Sequence, residues 1–403
     1  MQNSNPSLPR LRLKKSEDKR LRAGHLWIYS NEVDTHHTPL KQFGAGECVT
    51  LENAQGKPLA SAYINPNSLI CARVYSRRPD QPLDENLITQ RLQQALAWRQ
   101  RVYAKPFYRL CYGESDFLPG VVIDRYGDYC VVQLTTAGAE QCKTAIQSAL
   151  QTILSPRGIV LRNDSSTREL EGLPLYSEVL AGEVPDALAI EENETNFFAL
   201  PLSGQKTGWF YDHRSNRKQL QDYARGKRIL DVFSYSGAWG MAALTAGAAH
   251  ASFVDASAPA LEYVTRHAQL NNVGDRIATH KGDAFEVLNS LQQAGQRFDI
   301  VVVDPPAFVK RRKDLAAGLR AYYEINRLAL ALLNADGLLV SASCSYHVSA
   351  DDLLNEVRKA ALQSPWDLQV IAQGHQAPDH PIHPAMPETR YIKAFFCRVL
   401  ERH

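Results

Sequence analysis

Between Arg228 and Tyr346 the chain repeats one unit: an apolar run, a polar or glycine-containing turn, then a helical pattern. "RILDVFSYSGAWGMAALTAG" reads as strand, tight turn and helix, and "HASFVDASAPALEYVTRHAQLN" repeats the order. "ATHKGDAFEVLNSLQQ" repeats it again. "FDIVVVDPPAF" leads into the long helical stretch "AAGLRAYYEINRLALALLNADG", and "LLVSASCSY" precedes a helix from Ala350. Short apolar runs alternating with helical segments indicate parallel strands joined by crossover helices, a doubly wound α/β sheet. Such sheets bind ligands beyond the carboxyl ends of their strands, so the strand tips are where chemistry is expected. A terminal strand pair is predicted around "LQVIAQG" and "YIKAFFCRVL".

A chain of 403 residues is too long for one core, and upstream of the α/β segment its pattern changes twice. Residues 8–78 read as all-β, with a hairpin in "ECVTLENAQGKPLASAYIN" turning at Gln55-Gly56. "RRPDQPLDENL" breaks the pattern and reads as a linker. Residues 84–188 open on a helix capped by Asp84, with Leu87, Leu92, Leu96 and Val102 sharing an apolar stripe. A hairpin at Tyr126-Gly127-Asp128, the helix "QCKTAIQSALQTIL" and the strand "RGIVLRNDSS" follow. The expected fold is thus an α/β domain over 189–403, preceded by an N-terminal all-β domain and a central α+β domain.

The 7 cysteines include no CxxC pair, which argues against a zinc ribbon or a disulfide framework and for a reducing compartment. No apolar signal core or bilayer-length stretch is present, so a cytoplasmic protein without membrane attachment is expected. A net charge of +2 says little about partners. Local clusters say more: the run from Arg10 to His25 holds Arg10, Arg12, Lys14 and Lys15, and "KRRK" and "RSNRK" lie downstream. Such clusters suit nucleic acid, although each alone reads better as a solvated face. "HPIHP", His380 to Pro384, lacks a third ligand and is expected to shape a loop; no metal is expected.

The strand tips carry a consistent set. "LDVFSYSGAWG" is a strand-to-helix turn in which Gly237 and Gly240 are expected to let backbone approach a ligand. "FVDAS" ends the second strand with Asp255, where an acid grips ribose hydroxyls. "KGDAF" places Asp283 at the third tip, within reach of an adenine amino group, and "VVVDPPAF" places Asp304 at the fourth. Each acid alone reads better as a loop cap; four tips in a row with suitable polar residues do not. No GxxxxGK[ST] loop is present, and adenosine recognition without a phosphate cradle points to S-adenosylmethionine.

The order "DVFSYSG", "VDAS", "GDAF", "DPPAF" resembles motifs I to IV of class I methyltransferases. "GQKTGWFYDHRSNR" resembles the entry motif of the RlmI-like 23S rRNA cytosine-5 methyltransferases. "GHLWIYSNEV" is similar to the start of that family's PUA domain, "GESDFLPGVVIDRYGD" to its central EEHEP-type domain, and "SASCS" and "YIKAFFCRV" also fit. The chain departs from the family at Ser236-Gly237-Ala238-Trp239, where Thr-Gly-Gly-Phe is frequent, at Ala307 in place of lysine, and in "EENET". The resemblance implies a Rossmann-like catalytic domain with a seven-stranded sheet and S-adenosylmethionine as cofactor. It implies that Gln205, Tyr211, Asp212 and Arg214 line the entry side of the cofactor pocket. Phe233, Ser234 and Gly237 would form the cofactor turn, Asp255 would bind ribose and Asp283 adenine. Asp304, between cofactor and base, and Cys344 would be catalytic. The implied partner is RNA, 23S rRNA or a large-subunit assembly intermediate.

Cytosine C5 is a poor nucleophile toward a methyl sulfonium unless a thiolate first adds to C6. Cys344, at the end of "LLVSASC", could supply that thiolate or be an ordinary core residue; position alone leaves both open. The neighbouring DPP turn and the resemblance favour the nucleophile. Asp304 would meet the N3/N4 edge of the base, protonated where it donates to N3. Pro305 and Pro306 would stiffen the turn, and Phe308 would stack on a flipped base. Arg390 or Lys393 could lower the thiol pKa, and Cys397 is expected in the core. Two other readings remain: an exocyclic-amine RNA methyltransferase with Cys344 incidental, and a non-catalytic RNA-binding protein.

Overall fold

The structure is a computed structural model that describes residues 7–402. These divide into two compact units. The first comprises the chain up to Ile190 with Ala199–Tyr211 and Pro378–Thr389; the second comprises Glu191–Phe198, Asp212–Ala377 and the chain from Arg390.

The first unit contains two five-stranded sheets, each with its own core. One sheet runs Arg10–Arg12, Glu47–Glu52, Pro58–Ile64, Ala72–Ser76, Trp27–Ile28 in spatial order. Leu11, Val49, Leu51, Ala62, Ile64 and Val74 fill its core. The expected hairpin turns at Gly56, whose φ of 77° suits glycine. The other sheet runs Tyr176–Gly182, Gly158–Asn163, Tyr129–Leu134, Val121–Tyr126, Phe107–Tyr112. Helices Glu85–Val102 and Lys143–Leu154 bury Ile88, Leu92, Ile146 and Leu150 against it. Asp84 caps the first of these helices, its Oδ1 accepting from Leu87 N at 2.9 Å. Val102 does not complete the expected stripe: it is exposed, and Arg99 holds the buried place near the helix end. That burial is tolerated because the guanidinium is satisfied, by both Asp116 oxygens at 2.7 Å and by the carbonyls of Arg109 and Asp379.

The second unit is the doubly wound domain. Its strands are β1 (Arg228–Val232), β2 (His250–Asp255), β3 (Ile277–Lys281), β4 (Phe298–Val303), β5 (Leu333–Ser343), β6 (Trp366–His375) and β7 (Lys393–Glu401). Its helices are α1 (Arg214–Ala224), α2 (Ala238–Thr245), α3 (Ala258–Leu270), α4 (Ala284–Gln293), α5 (Leu315–Ala331) and α6 (Ala350–Leu362). The seven strands lie in the order β3-β2-β1-β4-β5-β7-β6. β1 to β5 are parallel, and β7 inserts antiparallel between β5 and β6. Val301, Val302 and Val303 are all fully buried, as expected for a central strand covered on both faces. On one face Leu230, Val232 and Val254 share a core with α4, α5 and α6. On the other, Phe253 meets α2 and α3 at Gly240 and Val264. The order reverses beside β1, so the tips of β1, β2 and β4 converge where such sheets bind ligands.

Candidate active site

The turn after β1 is held in an unusual conformation. Phe233, Tyr235 and Gly237 have φ of 62°, 49° and 83°, so every second residue is left-handed. Bulky residues reach that region only when their surroundings impose it. Here Ser234 N donates to Val254 O at 3.0 Å, Tyr235 N to Asp255 Oδ2 at 2.8 Å and Gly237 N to Ser234 O at 2.7 Å. His267, not singled out by the sequence, locks the turn from below. Its Nδ1 donates to Ser236 O at 2.9 Å and its Nε2 accepts from Phe198 N at 2.9 Å. Burial pushes its pKa down to about 4, so it stays neutral. Both glycines are also required by packing. A Cβ at Gly237 would lie 2.9 Å from Phe253 and one at Gly240 2.4 Å from the same ring.

Three carboxylates surround this turn. Asp255 accepts from Tyr235 N and, through Oδ1, from Ser257 N at 2.8 Å. Asp304, at the tip of β4, accepts from the Trp239 indole N–H at 2.9 Å, and its other oxygen lies 3.4 Å from His213 Nε2. Asp231, also unmarked by the sequence reading, is fully buried in β1 and accepts from Gly240 N at 2.9 Å. Burial, reinforced by the charges of Asp304 and Asp255, pushes its pKa up to about 7 despite the Gly240 bond. Its Oδ1 and the Ser234 hydroxyl are buried without a hydrogen-bond partner. Clustered acids and unspent acceptors at one strand tip fit a cofactor carrying an ammonium and a sulfonium. Asp283 stands apart at the tip of β3, exposed, with Oδ1 capping α4 through Phe285 N and Glu286 N.

His213 is oriented by Asn216, whose Nδ2 donates to His375 O at 3.2 Å and to His213 Nδ1 at 2.9 Å. The carbonyl requires the amide nitrogen at that place, so Nδ1 is an acceptor and Nε2 carries the hydrogen that faces Asp304. Trp239, the departure from the family's phenylalanine, supplies the hydrogen bond to that carboxylate, while His213 Nε2 faces it at 3.4 Å without completing one.

Cys344 follows β5 and is half-buried, its thiol 3.9 Å from Pro305 O. The flanking serines turn inward. Ser343 and Ser345 hydroxyls lie 2.8 and 3.0 Å from the Tyr322 hydroxyl, and Ser345 Oγ accepts from Val309 N at 3.3 Å. The triplet thus anchors both neighbours and leaves the middle thiol at the tip. Lys393 is buried and donates to the carbonyls of Ser345 and Tyr391. Burial lowers its pKa to about 8, while the Cys344 sulfur works to raise it. Cys397 lies in the core opposite Leu339, its pKa pushed up to about 12 by burial. Pro305 is buried and Pro306 exposed; the half-buried Phe308 ring is engaged by Phe233, Phe285 and Tyr322.

The remaining expected residues are divided between the two units. Gln205 and Tyr211 belong to the first unit, where Tyr211 is buried and donates to Arg125 O at 3.0 Å. Asp212 and Arg214 belong to the second; Asp212 accepts from the Tyr391 hydroxyl at 2.7 Å and Arg214 opens α1. In "EENET", Glu192 forms a two-bond pair with Arg217 at 2.6 and 3.0 Å. Arg10 pairs with Asp80 and Glu52, Arg12 pairs with Glu52, and Lys14 donates to Asn31 O. Lys15 is exposed. His380 is buried against Asp379 and Tyr112. Among the described residues no group of three or more metal-ligating side chains occurs, and no helix is long and apolar enough to cross a membrane.

Strand order, turn and acids together define a class I methyltransferase that uses S-adenosylmethionine. Residues 160–389 match the family model of S-adenosylmethionine-dependent methyltransferases, and residues 11–77 match a PUA-like domain. The ribosomal RNA large subunit methyltransferase I of Yersinia pestis is 39% identical over 396 residues, covering 97% of this chain and 99% of the relative. A methyltransferase crystallised with SAH superposes with a TM-score of 0.84 at 20% identity, over 97% of this chain and 100% of that one. A SAM-dependent methyltransferase from Streptococcus mutans gives 0.82 at 21%, with the same coverage. The chain belongs to the methyltransferase family that includes the ribosomal RNA large subunit methyltransferases I.

Proposed function

We propose that this chain methylates carbon 5 of a cytosine in large-subunit ribosomal RNA through a transient bond from Cys344 to carbon 6. The observation that carries the reading is the thiol held at the tip of β5, between serines anchored on Tyr322 and beside the Asp304-Pro305 turn. The name of the relatives supports the substrate. Such a substrate would be met in the cytoplasm. In this reading residues 8–78 form an RNA-binding PUA domain, 84–188 a central domain and 189–403 the catalytic domain.

The cofactor supplies an electrophilic methyl group. Asp231, Asp255 and Ser234 would hold its amino-acid and ribose portions at the turn, and Asp283 its adenine. Cys344, as thiolate, adds to C6, and the electron pair displaced onto C5 takes the methyl. The C5 proton then leaves, its bonding pair restores the double bond, and the C6–S bond breaks to return the thiolate. The Lys393 ammonium favours the ionised sulfur. Asp304, hydrogen-bonded by the Trp239 indole on one oxygen and 3.4 Å from His213 Nε2 on the other, would meet the N3/N4 edge of the cytosine and accept from its 4-amino group. RNA carrying 5-fluorocytosine tests the route, because fluorine cannot leave as a proton does. An adduct that survives denaturing electrophoresis, needs S-adenosylmethionine and vanishes in Cys344→Ser is expected. An RNA that is methylated yet traps no variant would overturn the C5 route and favour the exocyclic amine.

A further inference from the structure

Within the first unit, a cavity of about 570 Å³ lies between the Ala72–Ser76 strand with its following turn and helix Glu85–Val102. Its charge is unbalanced. Arg77, Arg78 and Arg91 line it, and among the described residues none of the three forms an ion pair. Arg91 Nε is buried without a hydrogen-bond partner. Burial, and then the charge of Arg78, push the Arg91 guanidinium below its ordinary pKa, the mark of a cation lacking an anion. The one carboxylate in the lining, Asp84, is engaged in capping the helix. The contrast with the N-terminal basic run lies in the ion pairs: Arg10 faces Asp80 and Glu52 and Arg12 faces Glu52, although Arg10 Nη1 and Arg12 Nε are also buried without a hydrogen-bond partner.

Two further features share the cavity. Phe117 is 38% exposed and has a φ of 58°, a conformation that costs a bulky residue strain and is kept where something is gained. Arg91 lies over its ring at 5.1 Å from the centroid. Asn86, Gln90 and Gln94, four residues apart, set a row of amides along the helix wall.

Unpaired arginines, an exposed aromatic ring and a row of amides match the three parts of a nucleotide: phosphate, base face and base edge. The volume suits about one nucleotide. We propose that this cavity is a second RNA-binding site, in which one unpaired nucleotide of the substrate stacks on Phe117 while its flanking phosphates lie on Arg77, Arg78 and Arg91. The proposal rests on the reading of RNA as substrate.

The test measures binding of a fluorescent single-stranded 20-nucleotide RNA of mixed sequence to the full-length protein over a salt series, with S-adenosylmethionine affinity as the folding control. Replacing Arg77, Arg78 and Arg91 with alanine should flatten the log–log salt slope by about 2, because single strands release roughly 0.7 counterion per neutralised phosphate. Phe117→Asn, which tolerates the left-handed backbone but lacks the ring, should weaken binding about tenfold without changing the slope. Phe117→Tyr should restore binding. Normal RNA binding and slope in the triple-alanine variant, with cofactor affinity intact, would overturn the site and leave the substrate reading standing. Failure of the unaltered protein to bind any RNA, 23S rRNA included, would remove both.

Discussion

Asp231 provides the sharpest quantitative test of the catalytic domain. Its side chain is fully buried and its pKa stands near 7 against an ordinary 3.8. A native pKa above the unfolded one means that the folded protein holds a proton the unfolded chain has lost. The corresponding stability is present below pH 4 and disappears as pH rises through 7. A shift of about three units at ~1.4 kcal/mol each puts the loss at about 4 kcal/mol. Asp231→Asn keeps an oxygen for Gly240 N and carries no charge, so its stability should not follow that fall. Whatever fixed cost the amide adds, the variant's stability relative to the unaltered protein should rise by about 4 kcal/mol between pH 4 and pH 8. For a unit of this size that is roughly 10 °C in midpoint. Thermal scans should follow the transition that S-adenosylhomocysteine moves upward, since that one belongs to the cofactor-binding unit. A difference that stays constant across pH, or one that falls as pH rises, would refute an ionisation held back by burial at this position.

Lys393→Met removes the cation beside the thiol and should move the acidic limb of kcat/KM upward by about one pH unit, with the gap closing above pH 8, where Lys393 itself loses its proton; coincident pH–rate profiles would exclude this role. His213→Ala should lower kcat about tenfold with cofactor affinity unchanged, and pairing it with Trp239→Phe should cost more than the product of the single effects, because Asp304 then loses both the Trp239 hydrogen bond and the nearby His213 N–H; strictly multiplicative effects would mean that the two do not share a carboxylate. Asp255→Ala should weaken S-adenosylmethionine binding at least tenfold by calorimetry, through loss of the ribose contact and of the Tyr235 N bond that shapes the turn.

The strand–helix alternation made the catalytic sheet legible because parallel strands buried on both faces are short apolar runs, and their tips can be read directly after them. Asp255, Asp304 and Cys344 were legible for that reason. Asp231 was not, although it sits two residues before Phe233 in the same motif: an acid inside an apolar strand looks like an interruption until its burial and its Gly240 bond are seen. His213 and His267 were invisible for another reason. Each acts on a residue far away in sequence, Asp304 and Ser236, and no local spacing encodes such a pair. In the basic run at Arg10 to Arg22 the sequence did not show which side chains are already paired. Charge counts cannot tell an unpaired arginine from one facing Glu52, and two of the three unpaired arginines, Arg77 and Arg78, lie in a segment that read as a linker.

The segment Pro378–Thr389 gives the molecule a particular order of completion. It is encoded close to the end of the chain, yet it belongs to the unit that begins it. Met386 sulfur accepts from Leu26 N at 3.2 Å, Asp379 accepts from Arg109 N at 3.0 Å and from Arg99 through its carbonyl at 2.9 Å, and Thr389 O accepts from Tyr112 at 3.2 Å. On the ribosome, Leu26 and Arg99 must therefore wait for partners made 360 and 280 residues later. Until then Leu26 and Arg99 lack partners that the finished protein gives them, and Arg99 keeps a donor without its buried acceptor. A transcript cut short anywhere in the catalytic domain yields a catalytic fragment and also an unfinished N-terminal unit. The first unit is in this sense proofread by the second: it is not complete before β1 to β6 have been synthesised.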